Sequence, residues 1–272
     1  METDNLVLMH LRALLTFFAV GLAACAGAGE EATKPIADAP LAAASAVTDV
    51  PPVGTPSVET RLHWEGFAET MTAEPTLAAY TLGPIDVFES PDSPDPLLTL
   101  DRTTILGTVT VLGVVTQPRD GWVEVMLPVR PNGSTGWVRE DGVSLYVVDG
   151  EIVIDLSDRK LSYRIDGVEV LETEAGIGSK HNQTPVGQYF VTDNVTLANP
   201  NSPWGPHALG ISARSDTITE YNGGDGIIGI HGTNNPGSIG GNISLGCVRL
   251  PNDMITLLHE MVPLGTRVSI EA

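Results

Sequence analysis

Cysteine and positive charge are what this chain has least of. Its 272 residues include two cysteines, Cys25 and Cys247, and 14 Lys and Arg against 34 Asp and Glu, a net charge of −20. So small a basic complement excludes nucleic acid as a partner, because phosphate binding needs a basic surface. An anionic polymer such as teichoic acid would be repelled as well. The acidic surface favours solubility and suits salty surroundings, but it names no function. Internal repeats are absent. The apolar run at residues 14–24 is shorter than the roughly 20 residues a membrane-spanning helix needs. Length alone allows one or two domains.

That short run follows Arg12 and ends in small residues, the pattern of an export signal. Leu22-Ala23-Ala24-Cys25 resembles the bacterial lipobox. In such signals the cysteine is lipidated and becomes the first mature residue, anchoring the protein at the outer face of the cell membrane. An ordinary secretory signal with a chance cysteine is the other reading. Glu2 and Asp4 are out of place in a positive n-region, and Met9 offers an alternative start. A lipidated Cys25 cannot bridge to Cys247. The remaining thiol is then unpaired outside the cytoplasm, which marks it as reactive or intermolecular.

The organisation expected is a signal peptide at 1–24, a tether at 25–75, a small β domain at 76–148 and a second β-rich domain at 149–272. The tether is rich in Ala, Pro, Thr, Val and Glu, buries too little to fold, and reads as disordered. Residues 85–88, 108–115, 121–126 and 136–139 show the alternation and β-branched content of strands, with turns at Pro91, Pro94, Pro96 and 131–134. Five or so strands in this space suggest a small barrel. The Gly121-Trp122-Val123 and Gly136-Trp137-Val138 strands resemble those of the bacterial SH3-like domain. Two readings stand for Trp122 and Trp137, core packing and glycan stacking. The second domain reads as a hairpin at 152–165 turning at 157–159, further strands at 168–173, 184–191 and 265–270, and one helix starting at Pro251 with Asn252 as its cap.

The chemistry concentrates near the end. Ile230-His231-Gly232-Thr233-Asn234-Asn235 is followed sixteen residues after the histidine by Cys247, within Ser244-Leu245-Gly246-Cys247-Val248-Arg249-Leu250. A thiol attacks only as thiolate, and an imidazole within reach can take its proton. Gly246 lets backbone approach the reacting carbonyl, so that the amides of Leu245, Gly246 and Cys247 can face a developing oxyanion. Gly232 leaves its own carbonyl free to orient the imidazole. Taken alone, a lone Cys is more often a small core residue and a lone His structural. Zinc requires at least three protein ligands, and none cluster with either residue in the sequence. No metal and no cofactor are implied.

Together these residues resemble the catalytic motif of the L,D-transpeptidases of YkuD type. Thr184-Pro185-Val186-Gly187-Gln188-Tyr189-Phe190 and Trp204-Gly205-Pro206-His207-Ala208-Leu209-Gly210 match supporting motifs, and the likeness covers 151–272. Leu245 departs from the histidine common there. The resemblance implies a mainly β protein: a small SH3-like barrel, then a β-sandwich catalytic domain with one short helix after the nucleophile. It implies a cysteine acyltransferase acting on peptidoglycan stem peptides in the cell wall. Cys247 would form a thioester, His231 would act as base then acid, and a neighbouring stem would accept the acyl group in a 3→3 cross-link. Water as acceptor would make an L,D-carboxypeptidase, and a non-catalytic wall-binding lipoprotein is the alternative from another class. Arg249 is placed either to meet a substrate carboxylate or to form a structural salt bridge. Ser244 and Asn234 are candidates to shape the substrate site.

Overall fold

The computed structural model describes residues 44–46, 76–221 and 224–272. The export signal, the lipidation candidate Cys25 and most of the expected tether lie outside these residues. Within that tether, strand β1 (Ala44–Ala46) pairs with residues 195–197 of a later strand. Residues 44–46 include no proline, so their backbone can donate to that sheet edge.

The N-terminal β unit comprises β2 (Thr76–Thr81), β3 (Ile85–Val87), β4 (Leu98–Leu100), β5 (Val111–Gly113), β6 (Trp122–Met126), β7 (Thr135–Arg139) and β8 (Val143–Val148). They form an antiparallel sheet β5-β2-β8 and two antiparallel pairs, β3–β4 and β6–β7. Single bridges, Phe88 to Trp137 and Val114 to Val125, join these pieces. The run expected as one strand over 108–115 is ladder-paired only along β5. On either side, Val109 and Val114 make isolated bridges to Thr103 and Val125.

Alternation on β6 and β7 sends Val123, Val125 and Val138 into the unit's core. Trp122 and Trp137 therefore lie on the opposite face. There the Arg139 guanidinium sits 4.7 Å from the Trp122 ring centre and that of Arg119 5.0 Å from Trp137. Phe88 meets Trp122 edge-on at 5.3 Å. Both indoles are thus packed by side chains outside the valine core.

The C-terminal part is dominated by one long sheet. Its strands are β9 (Gly150–Asp155), β10 (Lys160–Ile165), β11 (Val168–Glu174), β13 (Gly187–Leu197), β14 (His207–Arg214), β15 (Ile227–His231), β17 (Val248–Arg249) and β18 (Arg267–Glu271). Their order is β11-β10-β9-β18-β13-β14-β15-β17. β18 covers only residues 187–190 of β13, and β1 takes the edge left beyond it. A short parallel pair, β12 (Ile177–Gly178) with β16 (Asn242–Ser244), stands apart.

Helix α1 (Asn252–Met261) lies against β14 and β15 and buries Ile255 and Leu258. Asn252 does not cap it. The helix starts at Asn252 after Pro251 without a side-chain cap, because the Asn252 amide oxygen accepts the Thr233 N–H at 2.7 Å.

β13 serves two cores. Val191 packs with Ile154, Leu209, Ile230 and Leu250 in the larger one. Its neighbour Phe190 points the other way and is 1% exposed among Leu112, Val123 and Val138 of the N-terminal unit. Truncating a buried Phe removes apolar contact and leaves a cavity. Phe190→Ala should therefore lower the unfolding free energy by about 3–5 kcal/mol in urea titration. A loss below about 1 kcal/mol would show that the ring does not fasten the two cores.

Candidate active site

Strand register brings the His and Cys motifs together. β15 and β17 run parallel, with Ile230 opposite Val248 and His231 opposite Arg249. Cys247 immediately precedes β17, which sets it beside Gly229. The Gly229 N–H donates to Cys247 Sγ at 3.4 Å. Nucleophile and imidazole candidates thus hang from adjacent strands.

The turn before Cys247 is held from within and from outside. The Ser244 hydroxyl donates to the Cys247 carbonyl at 2.5 Å and accepts the Gly246 N–H at 3.1 Å. The Thr184 hydroxyl donates to the Gly246 carbonyl at 2.9 Å and accepts the Gly178 N–H at 2.9 Å. Gly246 has φ +120°, and a Cβ there would stand 2.9 Å from Ile228 Cδ1. The backbone angle favours glycine, and a larger residue would also have to displace the Ile228 methyl.

His231 is 4% exposed. Its Nδ1–H donates to the Gly232 carbonyl at 2.6 Å, which leaves Nε2 as the proton-accepting nitrogen. The Trp204 ring packs on the imidazole at 4.4 Å between centres, and Tyr221 lies 6.5 Å beyond Trp204. Gly232 passes so close to Gly205 that a Cβ on Gly205 would stand 2.6 Å from its Cα. With Asn252 holding Thr233, this packing pins the turn that presents the Gly232 carbonyl.

Burial pushes the Cys247 thiol above its ordinary value, against the opposing pull of the Gly229 N–H and the Arg249 charge. Burial also lowers His231 to about 4; the Gly232 bond opposes this and the Arg249 cation adds to it. At neutral pH the resting pair is therefore thiol and neutral imidazole. Arg249 is half-buried, its Nε has no hydrogen-bond partner among the described residues, and its main chain is paired with Gly176.

Of the other residues singled out from sequence, Leu245, two residues before Cys247, is half exposed, as is Ile243. Ser244 is buried and bonded within its own turn. Asn234 is exposed and donates to the Asn201 carbonyl at 3.2 Å. The Gly246 amide, a candidate oxyanion donor, is engaged by Ser244; the Leu245 and Cys247 amides flank it.

Thr184, Trp204, Asn252 and Gly229 act at the site without having been singled out for it. Thr184 and Trp204 lay inside matched motifs, whereas nothing local in the sequence marks Asn252 or Gly229. His207 and His259 stack at 3.9 Å, but no three His, Cys, Asp or Glu among the described residues form a metal-binding group.

A thiol of raised pKa beside a neutral imidazole should react slowly until alkaline pH. Alkylation of Cys247 by iodoacetamide should keep accelerating beyond the ordinary thiol range near ~8.5. A plateau already reached by about pH 6, the mark of a preformed thiolate–imidazolium pair, would contradict the neutral resting state.

The L,D-transpeptidase catalytic domain, YkuD, matches residues 149–270. The chain is 30% identical over 125 residues to the putative L,D-transpeptidase YkuD of Bacillus subtilis, covering 46% of this chain and 68% of that protein. It is 34% identical over 121 residues to the putative L,D-transpeptidase YqjB of Bacillus subtilis, covering 40% and 62%. Among solved structures, an L,D-transpeptidase from Mycobacterium smegmatis overlaps 70% of this chain and 100% of its own at 17% identity, with a TM-score of 0.38. Membership rests on the sequence matches, and the matched catalytic domain contains both His231 and Cys247: the chain belongs to the L,D-transpeptidase family.

Proposed function

We propose that this protein is a peptidoglycan L,D-transpeptidase that forms 3→3 cross-links through a thioester on Cys247. The observation that supports this most is the β15–β17 register, which brings the segment carrying Cys247 alongside the strand that ends in His231, a buried imidazole whose Nδ1 is fixed by a backbone carbonyl. Family membership supports stem peptides as the substrate class.

The reaction follows from the neutral resting pair. His231 Nε2 takes the Cys247 proton as Sγ attacks the acyl carbonyl of the third stem residue, so the thiolate exists only during attack. Negative charge moves to the carbonyl oxygen, where the Leu245 and Cys247 amides are the candidate donors. The Gly246 amide serves the turn instead. Collapse breaks the C–N bond, and the imidazolium protonates the departing D-alanine amine. An amine from a neighbouring stem then attacks the thioester, gives its proton to His231 and releases the Cys247 thiol. Arg249, whose Nε has no hydrogen-bond partner among the described residues, adds a cation suited to a substrate carboxylate.

Export, anchoring through lipidated Cys25, the tether and a wall-facing role for the N-terminal unit belong to the same proposal. Cys25→Ser should move the protein from the membrane fraction to the soluble one without altering turnover.

Purified tetrapeptide stems incubated with the enzyme should yield cross-linked dimers by mass spectrometry. Cys247→Ala should abolish them and Cys247→Ser should nearly do so, while His231→Ala should lose ~10² or more in rate, as removing a general base does. Shortened monomers without dimers would assign the carboxypeptidase reaction instead. Substantial turnover by Cys247→Ala would refute the mechanism.

A further inference from the structure

The loop joining β14 to β15 is folded around a side chain from the other part of the molecule. Arg130 lies in the turn between β6 and β7 of the N-terminal unit. Its guanidinium donates to the Ser215 carbonyl at 2.7 Å, the Ile218 carbonyl at 2.9 Å and the Asp225 carbonyl at 2.8 Å. Three carbonyls, from both ends of one loop, converge on one cation.

The same turn makes further contacts at the loop's root. Asn132 both donates to the Arg214 carbonyl and accepts the Arg214 N–H, each at 2.8 Å. Arg214 in turn pairs with Asp225 at 2.7 Å. The loop closes at its base by the Ser215 N–H donating to the Gly226 carbonyl at 2.8 Å. Gly226 has φ +75°, and a side chain there would collide with the Ile218 carbonyl and approach Arg130. The loop is wound tightly enough to depend on what sits among its carbonyls.

This loop leads directly into the candidate site. Gly226 precedes β15, the strand whose Gly229 N–H holds Cys247 Sγ and whose last residue is His231. Thr217 donates to Asn182 at 2.8 Å, tying the loop to the segment that carries Thr184. Tyr221 lies beyond Trp204, which packs on His231. One arginine thus sits upstream of the strand that carries His231 and the Gly229 N–H that meets Cys247 Sγ.

We propose that Arg130 is a positioning residue for the Cys247–His231 site: by gathering the carbonyls of Ser215, Ile218 and Asp225 it sets how β15 enters the site. The N-terminal unit is then part of the catalytic apparatus, whatever it binds elsewhere. This deepens the transpeptidase reading and rests on it for its kinetic consequence. The physical warrant is that a misplacement of about 1 Å far from the chemistry can cost on the order of 10² in rate.

The test compares wild type, Arg130→Ala and Arg130→Lys in the full chain. Turnover of tetrapeptide stems and amide hydrogen exchange are followed in parallel. Arg130→Ala should lower kcat by about tenfold or more, with KM within about twofold. Arg130→Lys, which keeps a cation but not the fork that reaches three oxygens, should fall between them. Exchange should quicken in residues 215–221 and 224–231 of Arg130→Ala and stay unchanged in β9, β10 and β11. Unchanged exchange in that loop and strand overturns the proposal, as does unchanged kcat. Faster exchange throughout the protein also overturns it, since Arg130 would then be a general stabiliser. If wild type forms no product, the transpeptidase reading fails, and the exchange pattern alone decides whether Arg130 positions β15.

Discussion

The parallel pairing of β15 with β17 is the constraint on which the site depends. A shift of one residue in that register would move Cys247 away from the Gly229 N–H and turn His231 to the other face of its strand. Most of the surrounding hydrogen bonds resist that shift. Thr184 and Ser244 hold the turn before β17, Asn252 holds the turn after β15, and Leu250 donates its N–H to the His231 carbonyl at 2.9 Å. Neighbouring helix α1, whose first residue supplies Asn252, is therefore a brace for the catalytic turn as well as a cover for the sheet.

Burial gives the site its chemical character. Burial disfavours the charged form of each residue and outweighs the pull of the Gly229 N–H and the Arg249 charge on the thiol. The imidazole is packed under Trp204 and kept neutral, and the thiol is kept protonated. In the proposed mechanism the proton would transfer as a carbonyl arrives to receive the sulfur. A neutral resting pair also lacks the standing nucleophilicity that would expose an unpaired thiol to oxidants outside the cytoplasm.

His231 and Cys247 stand out in the sequence because each lies beside a glycine, and the β15–β17 register brings their segments to adjacent strands. Strands β3, β6, β7, β9, β10 and β11 are legible too, from alternation and turn residues. β14 shows no alternation because seven of its eight residues are buried, so periodicity gives no sign of a strand there. Asn252 looks like a helix cap because that is the local use of Asn before an apolar run. Its actual partner, Thr233, comes from another turn nineteen residues away. Thr184 reaches Gly246 across 62 residues and Arg130 reaches its carbonyls across 85 to 95. Contacts at such separations are set by the folded topology, and one sequence holds no local trace of them.

Phe190 gives the two-core strand β13 an evolutionary consequence. A catalytic segment cut at the start of β9 would carry a large aromatic ring on its outer surface with nothing to cover it. Such a segment cannot be inherited as a free module. Any fusion that exchanged the N-terminal unit for another domain would have to supply a new socket for that ring or replace the phenylalanine with a polar residue. The identity of residue 190 in a related chain should therefore report whether its catalytic domain travels with a partner of this kind.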